Sequence, residues 1–356
     1  MQQRILHQFT EGVTVGDAIS DQAFVVRSWL REAGFTSDIY AVHINPVLAK
    51  EARPALNYRP QPGEEYVIYK HSIGSSLTEQ LLALPLRFLL VYHNVTPPEF
   101  VQSVDPALAR QFQQGREQLA LLRDRTALAL ADSPFNEAEL RAAGFTNTGV
   151  LPITLDESHY QTPVSTKLVE ELRNRHPLLL FVGRLTPNKR QEDLLKLLYY
   201  YRRIEPNATL ALVGAKWLPS YSRWLREVAH NLGLGDNVII TDHVTQAEMV
   251  TYFRTADLYV SMSEHEGFGK PLIESMYLGL PVMAYAATSV PSTLGGAGVL
   301  FHEKNYEALA EMVDWLIQDK ELRQRIITRQ RERVQAFLAP QVKQMWAQYL
   351  QGLGLL

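Results

Sequence analysis

The stretch Ser263–Met276 holds two carboxylates around a glycine loop, a combination suited to binding an anion. Glu266 opens the loop, and Glu274 lies beyond it in the first turn of a helix predicted to begin at Pro271. Glycines let the backbone turn tightly and present N–H groups, and a helix N-terminus favours a phosphate. A bent loop could bring both carboxylates to one ligand. Alternatively, Glu274 only complements the helix dipole and Glu266 is solvated.

Two cations follow another predicted strand in the second half of the chain. Leu178–Val182 is continuously apolar, as buried parallel strands are. Arg184 and Lys189 come directly after it, before a helix predicted over Gln191–Arg203. Cations at a strand end beside a helix N-terminus suit a diphosphate. The alternative is that both are solvated surface residues.

The first half places candidate residues after strands too. His93 directly follows the predicted strand Phe88–Tyr92, and His71 follows the preceding strand. Ligands bind at the carboxyl edge of open parallel sheets, which makes both histidines candidates. Gly16 and Asp17 lie in a loop, Thr10–Asp17, at the crossover of the βαβ unit that opens the chain. The alternatives are structural histidines and a glycine that only caps a turn.

Strands and helices alternate through both halves of the chain, which predicts an α/β protein with two doubly wound parallel sheets. A polar stretch, Thr154–His176, separates the halves. Ala49–Gly63, rich in proline and polar residues, is predicted to be irregular, and Pro291–Gly298 is predicted to be a glycine turn. The aromatic residues of Lys216–Leu232 are interpreted as ordinary packing.

The composition of the chain excludes several classes of protein. The chain has 356 residues, 46% of them hydrophobic, and a net charge of −3, which allows two domains and argues against a nucleic-acid binder. There is no cysteine, so no disulfide framework or thiolate chemistry is available. No apolar run approaches the roughly 18 residues that span a bilayer, and the first residues do not form a signal peptide. We expect a cytoplasmic protein.

Several ligand-binding motifs are missing. The chain has neither Gly-x-Gly-x-x-Gly, the dinucleotide fingerprint, nor a Walker loop. It also lacks Asp-x-Asp and His-Glu-x-x-His, two metal-binding motifs. These absences argue against an NAD-dependent oxidoreductase and predict an enzyme without a metal or other cofactor.

The spacing Glu266-(seven residues)-Glu274, with Gly-Phe-Gly inside it and Gly279–Val282 beyond, resembles the signature of retaining, nucleotide-sugar-dependent glycosyltransferases of family 4. Gly183-Arg184…Lys189 is similar to that family's diphosphate motif. The resemblance covers nearly the whole chain and is closest from Phe181 to Val299. It implies a GT-B fold, two Rossmann-like domains facing a cleft. The expected domains are 1–160, with a final helix from 340–356 crossing back onto it, and 161–339.

The resemblance also implies roles for the candidate residues. Glu266 would bind hydroxyls of the donor sugar, Glu274 the ribose, and Arg184 and Lys189 the diphosphate, while His93 would lie over the sugar near the transferred carbon. Catalysis is assigned to His93, Glu266, Arg184 and Lys189. Candidate acceptor-side residues are Asp17 and His71. The other donor-binding residues are Gly16, Asp242, His243, Val244, Gly267, Phe268, Gly269, Lys270, Pro271 and Leu272.

The implied activity is metal-independent hexosyl transfer with retention. The donor would be a nucleoside-diphosphate sugar, GDP-mannose or a UDP-sugar, and the resemblance to bacterial polysaccharide enzymes leans towards mannose. The acceptor would be a glycan or a lipid-linked saccharide. A related epimerase or phosphorylase, or a catalytically silent sugar-nucleotide-binding or scaffold protein, is the alternative.

An arginine-rich helix, predicted over Asp319–Ala336, is a candidate peripheral membrane contact. Like-charged residues along a helix usually form a solvated face, but anionic lipid at the inner face of a membrane would also attract them. The arginines concerned are Arg323, Arg325, Arg329, Arg331 and Arg333.

Overall fold

The computed structural model describes residues 4–356, which divide into two units with separate sheets. Unit 1 comprises residues 4–102, Pro106–Thr154 and Ala339–Leu356; unit 2 comprises Ser103–Asp105 and Leu155–Leu338. The domain limits predicted from the sequence, after residues 160 and 339, lie close to these boundaries. Among the described residues, no helix is both long and apolar enough to cross a membrane.

Unit 1 is built on a parallel sheet of seven strands in the order β3-β2-β1-β4-β5-β6-β7. The strand order reverses between β1 and β4, so their carboxyl ends mark the topological switch point of this sheet. Its first eleven elements are β1 (Gln8–Val13), α1 (Ala18–Glu32), β2 (Ile39–Ile44), β3 (Arg53–Pro54), β4 (Tyr66–His71), α2 (Ser76–Leu82), β5 (Arg87–Tyr92), α3 (Pro106–Leu122), β6 (Thr126–Ala131), α4 (Pro134–Ala142) and β7 (Thr148–Val150).

Unit 2 is built on a parallel sheet of six strands in the order β10-β9-β8-β11-β12-β13, and its switch point lies between β8 and β11. Its elements are α5 (Thr166–Leu172), β8 (Leu178–Val182), α6 (Gln191–Tyr201), β9 (Thr209–Val213), α7 (Pro219–Asn231), β10 (Val238–Ile240), α8 (Gln246–Thr255), β11 (Leu258–Ser261), α9 (Lys270–Leu278), β12 (Val282–Tyr285), α10 (Val290–Leu294), β13 (Val299–Phe301), α11 (Tyr306–Gln318) and α12 (Lys320–Val334).

The last helix, α13 (Ala339–Gly352), returns to unit 1. Its Val342, Trp346 and Leu350 are buried in one apolar cluster with residues of α1 and of the central strands. The central strands are apolar on both faces because helices cover both sides of a doubly wound sheet, and every residue of β8 and β9 is buried.

The structure corrects several local predictions. The first strand runs on to Val13, so Gly12 lies within β1 and the loop before α1 is shorter than expected. Ala49–Gly63 is not wholly irregular, since it contains β3 and a 3-10 turn. The region predicted as a glycine turn begins with α10, because proline is tolerated in the first turn of a helix, and this helix ends at Gly295 in the left-handed conformation.

Candidate functional site

The glycine loop lies at the switch point of unit 2, between β11 and α9. Gly269 precedes α9 with φ 85°, and a Cβ there would lie 2.8 Å from the Leu272 side chain, so the position favours glycine. The helix begins at Lys270, with Pro271 in its first turn. Phe268 packs its ring against Phe337, so only its backbone belongs to the loop.

Glu266 is held by hydroxyl groups from the segment after β12. Thr288 Oγ1 accepts from the Glu266 backbone N–H at 2.9 Å and donates to the Glu266 carbonyl oxygen at 2.9 Å. Ser289 Oγ donates to the same carbonyl at 2.9 Å. These bonds fix the backbone of Glu266. The sequence analysis missed both hydroxyls, because a threonine and a serine after a strand are too common to be a signal.

The second loop at this switch point brings Lys189 to Glu266. Lys189 ends a 3-10 turn that follows β8, and its Nζ lies 2.5 Å from Glu266 Oε2. Both side chains are largely buried, with 19% and 14% of their surfaces exposed. A ligand with hydroxyl groups next to a phosphate would therefore meet an acceptor and a cation side by side.

Arg184 lies on the indole of Trp217, in the loop that follows β9. The guanidinium carbon is 4.5 Å from the ring centroid, a cation–π contact. Tyr221 and Leu225 are buried as the sequence predicted. Trp217 and Trp224 are instead 37% and 43% exposed, so the packing interpretation was wrong for the two tryptophans.

A polar network ties the two loops together. Asn188 donates from Nδ2 to the His265 carbonyl at 3.1 Å and accepts from the Glu264 N–H at 2.9 Å. Arg190 Nε lies 2.7 Å from Glu264 Oε2, and Lys304 Nζ lies 2.7 Å from Oε1. Burial alone would raise the pKa of Glu264, but the hydrogen bonds from Lys304 and Arg190 lower it. Glu264 is therefore an ionised link between the loops.

Glu274 points its carboxylate at a tyrosine from the start of unit 2. The Tyr160 hydroxyl donates to Glu274 Oε1 at 2.5 Å, and Lys270 Nζ lies 3.9 Å from the same oxygen. The carboxylate is 11% exposed. Tyr160 was missed because it lies in the stretch that the sequence analysis interpreted as a polar linker.

Three of the predicted donor-binding residues, Asp242, His243 and Val244, lie in the turn that follows β10. Asp242 is an exposed residue whose Oδ2 lies 3.3 Å from Lys216 Nζ and whose Oδ1 accepts from the His243 N–H at 3.0 Å. His243 is exposed and Val244 is half-buried. Asp242 and Lys216 thus join the turns after β10 and β9.

His93 follows β5 in unit 1, as predicted, and is paired with a buried carboxylate. Its Nδ1 lies 2.8 Å from Asp132 Oδ2, and both side chains are almost fully buried. The next residue, Asn94, has φ 67° and donates from Nδ2 to Asn136 at 2.8 Å and to Glu139 at 2.7 Å. An ionised Asp132 can only accept, so the pair places the imidazole proton on Nδ1.

Lys70 is a fully buried cation in the same unit that the sequence analysis missed. Burial lowers its pKa to about 8, although Asp132 and Asp17 act in the opposite direction. Its Nζ donates to Gln22 Oε1 at 3.3 Å. Lys70 lies one residue beyond the predicted strand, and its residue type alone did not indicate that it would be buried.

The remaining candidates of unit 1 have structural contacts. His71 is the last residue of β4, is fully buried, and lies with Nε2 2.7 Å from the Gly115 carbonyl oxygen. Asp17 caps α1 by accepting from the Ser20 N–H at 3.0 Å. Gly16 has φ 73°, and a Cβ built there would meet no other atom within 4 Å.

The arginines of α12 divide into two groups. Arg323 donates to the Asp257 carbonyl oxygen, and Arg333 donates to the carbonyls of Ser292 and Thr293 at 2.8 and 3.1 Å. The exposed group consists of Arg325, Arg329 and Arg331. Within residues 4–356, no three His, Cys, Asp or Glu side chains are arranged to hold a metal ion.

The comparison with known families concerns unit 2. Residues 166–333 match the family model "Glycosyl transferases group 1", and the match contains both loops, Trp217 and Glu274. Residues 166–333 are a group 1 glycosyl transferase domain. The family resemblance stated from the sequence is therefore confirmed.

Curated relatives of this chain are named as glycosyltransferases. A GDP-mannose-dependent alpha-(1-6)-phosphatidylinositol monomannoside mannosyltransferase of Mycobacterium tuberculosis is 26% identical over 185 residues, 48% of this chain and 47% of the relative. A D-inositol 3-phosphate glycosyltransferase of Thermobifida fusca is 31% identical over 157 residues, 42% of this chain and 36% of the relative. The chain spans about half, or less, of the length of these relatives.

Solved structures similar to this chain extend over nearly its whole length. Anabaena Alr3699/HepE in complex with UDP-glucose has a TM-score of 0.77 at 19% identity and covers 98% of this chain and 99% of that one. The sucrose-phosphate synthase of Thermosynechococcus elongatus has a TM-score of 0.75 at 18% identity, with 99% of each chain covered. At these identities the likeness shows the fold, and the predicted GT-B fold of two Rossmann-like domains is confirmed.

Proposed function

We propose that this protein transfers a hexose from a nucleoside-diphosphate sugar to a glycan or lipid-linked saccharide, with retention at the anomeric carbon. The observation that carries the proposal is the contact between Lys189 and Glu266 at the switch point of unit 2. A sugar diphosphate presents hydroxyls and phosphate oxygens next to each other, and this pair offers each its complement.

In this mechanism the diphosphate leaves with its charge stabilised by Arg184, Lys189 and the N-terminus of α9. These groups act where negative charge develops in the transition state, so they accelerate the reaction as well as bind the donor. Glu266 accepts hydrogen bonds from sugar hydroxyls, and Glu274 accepts them from the ribose. His93, with its proton on Nδ1, presents Nε2 as an acceptor on the reacting face.

The chain's own cations offset the diphosphate charge, which is why we propose that no metal ion is needed. For the sugar we favour mannose, since two relatives of different organisms are named as GDP-mannose-dependent enzymes. A UDP-sugar is the alternative, because Alr3699/HepE was solved with UDP-glucose. Contact of α12 with anionic lipid, and a cytoplasmic location, stay predictions.

The first test is thermal unfolding of the purified protein with UDP, GDP, ADP or NAD, each with and without EDTA. A ligand at a hundredfold excess over its Kd stabilises the folded state by about 2.7 kcal/mol. We expect one nucleoside diphosphate to raise the Tm equally with and without EDTA. A response to NAD alone, or to none of the four, would overturn the proposal.

A transfer assay with the matching donor tests the reaction itself. NMR of the sugar product should show the anomeric configuration of the donor, and an inverted product would contradict retention. Nucleotide binding without any transfer or donor hydrolysis would favour a catalytically silent binding protein.

A further inference from the structure

Tyr160 makes a contact that the proposed chemistry does not yet use. Its hydroxyl donates to Oε1 of Glu274 at 2.5 Å, and both residues are buried, with 3% and 8% of their surfaces exposed. We infer that Tyr160 is a positioning residue that orients Glu274 for the ribose hydroxyls and so sets the preference for a ribonucleotide. This inference rests on the proposed function, in which Glu274 binds the ribose.

The contacts on Glu274 fall on one oxygen. Tyr160 donates to Oε1, and Lys270 Nζ lies 3.9 Å from that same atom. A carboxylate has two oxygens and about four acceptor positions. Holding Oε1 fixes the plane of the group, and we assign Oε2 to the ribose hydroxyl.

The segment that carries Tyr160 is anchored to the helices of unit 2. Gln246 of α8 donates to the His159 carbonyl at 2.9 Å, and Arg254 of the same helix donates to the Tyr160 carbonyl at 3.2 Å. The rings of Tyr160 and Tyr277, the latter on α9, lie 5.6 Å apart. The carbonyls before and after the Tyr160 Cα are both hydrogen-bonded, so the backbone that carries the ring is held in place. The Tyr160 hydroxyl therefore has little freedom to move away from Glu274.

An oriented carboxylate binds a hydroxyl more tightly than a mobile one, because the rotamer entropy has already been lost. Without the Tyr160 hydroxyl, the Glu274 side chain would be freer to turn away from the ribose. Binding would become weaker only for ligands that carry the ribose hydroxyl bound by Glu274. The preference for ribose over deoxyribose is therefore the property that reports on Tyr160.

The experiment measures Kd by calorimetry for the nucleoside diphosphate that binds the wild type, and for its 2′-deoxy and 3′-deoxy forms. We expect Tyr160→Phe to weaken the ribonucleotide about tenfold, as for loss of a hydrogen bond to a charged group. The deoxynucleotide that lacks the hydroxyl bound by Glu274 should bind within about twofold of wild type, which is small beside the effect of such a bond. The ribose-to-deoxyribose ratio should therefore fall.

Tyr277→Phe is the matched control. It removes a hydroxyl from the adjacent ring, which bonds to Glu157 at 3.3 Å and not to Glu274. We expect this variant to keep the wild-type ratio. Glu274→Gln should lower the ratio by itself, and adding Tyr160→Phe to it should lower the ratio no further, because both changes act on one contact.

The outcomes separate this inference from the proposed function. If no nucleoside diphosphate binds the wild type, the proposed function fails. If the wild type prefers ribose and Tyr160→Phe keeps that preference, or weakens ribo- and deoxyribonucleotides equally, the positioning role of Tyr160 is overturned. If the wild type does not distinguish the two sugars, the ribose role of Glu274 fails, and the inference with it.

Discussion

Glu266 shows how far a single residue can be understood from the chain alone. Its place in a glycine loop after a strand follows from local spacing, and the structure has that arrangement. Its partners do not follow, because Lys189 and Thr288 come from loops after other strands. Residue types and intervals predict what a segment can bind, whereas side-chain partners depend on which strands become neighbours. Lys304, which follows β13, was missed for the same reason.

His71 gives a prediction at the residue scale. Burial lowers its pKa from 6.5 to about 4, only partly offset by its bond to Gly115, with the nearby His93 acting in the same direction as burial. Between those pH values the unfolded chain binds the proton and the folded chain does not, so stability is lost as the pH falls from 6.5 to 4. The loss should approach about 3 kcal/mol at the acid end.

The measurement is the free energy of unfolding by urea between pH 7.5 and 4.5, for wild type and for His71→Gln. Glutamine can still donate to the Gly115 carbonyl but does not titrate. We expect a flatter pH dependence for the variant. Identical slopes would mean that folding does not lower the pKa of His71, which would contradict the prediction.

Elements were predicted best where periodicity was strong. The helix predicted over Gln191–Arg203 begins where α6 begins and ends two residues after it, and the strand predicted over Leu178–Val182 has the limits observed for β8. The short elements β3 and α10 were missed, since neither is a continuous apolar run and neither is long enough for a helical period to show. The switch point between β8 and β11 is a property of strand order, which depends on sheet pairing.

A close approach of two strand ends gives a prediction at the element scale. Strands β8 and β9 pair in register, so Gly183 and Gly214 lie side by side at their carboxyl ends. A Cβ on Gly214 would overlap the Gly183 carbonyl oxygen, and its φ of 149° is unfavourable for other residues. We expect Gly214→Ala to destabilise the protein by about 2 kcal/mol or more and to weaken nucleotide binding.

Gly235→Ala is the control for that change, because Gly235 has open space around it and an ordinary φ. Thermal unfolding should show it within about 0.5 kcal/mol of wild type, as for most surface substitutions. If both alanine variants have the Tm of the wild type, the close approach of Gly183 and Gly214 does not restrict the residue at position 214.

At the scale of the whole molecule, the chain leaves unit 1, builds unit 2 and then comes back. Alternation of strands and helices predicts two sheets, but it does not say which sheet a terminal helix joins; the resemblance to known enzymes supplied that expectation. In the structure, Trp346 of α13 is 2% exposed within the apolar cluster of unit 1. The second unit is thus enclosed in sequence between parts of the first.

Trp346→Ala should therefore loosen unit 1 and leave unit 2 unchanged. Removing a buried tryptophan costs about 3–5 kcal/mol. Hydrogen exchange followed by mass spectrometry should show faster exchange in β5 and β6 but not in β8 and β9. Trp315→Ala, on α11 and 60% exposed, is the control and should change neither unit. Equal loss of protection in both sheets would show that the units unfold together.

The return of α13 also affects how the protein is made. A ribosome releases residues in sequence order, and domains generally fold as their chain emerges. Every residue of unit 2 leaves the ribosome before α13, so unit 2 can complete its sheet first. Unit 1 emerges earlier yet cannot bury its apolar cluster until Trp346 and its neighbours arrive. During synthesis, the unit encoded first is the one finished last.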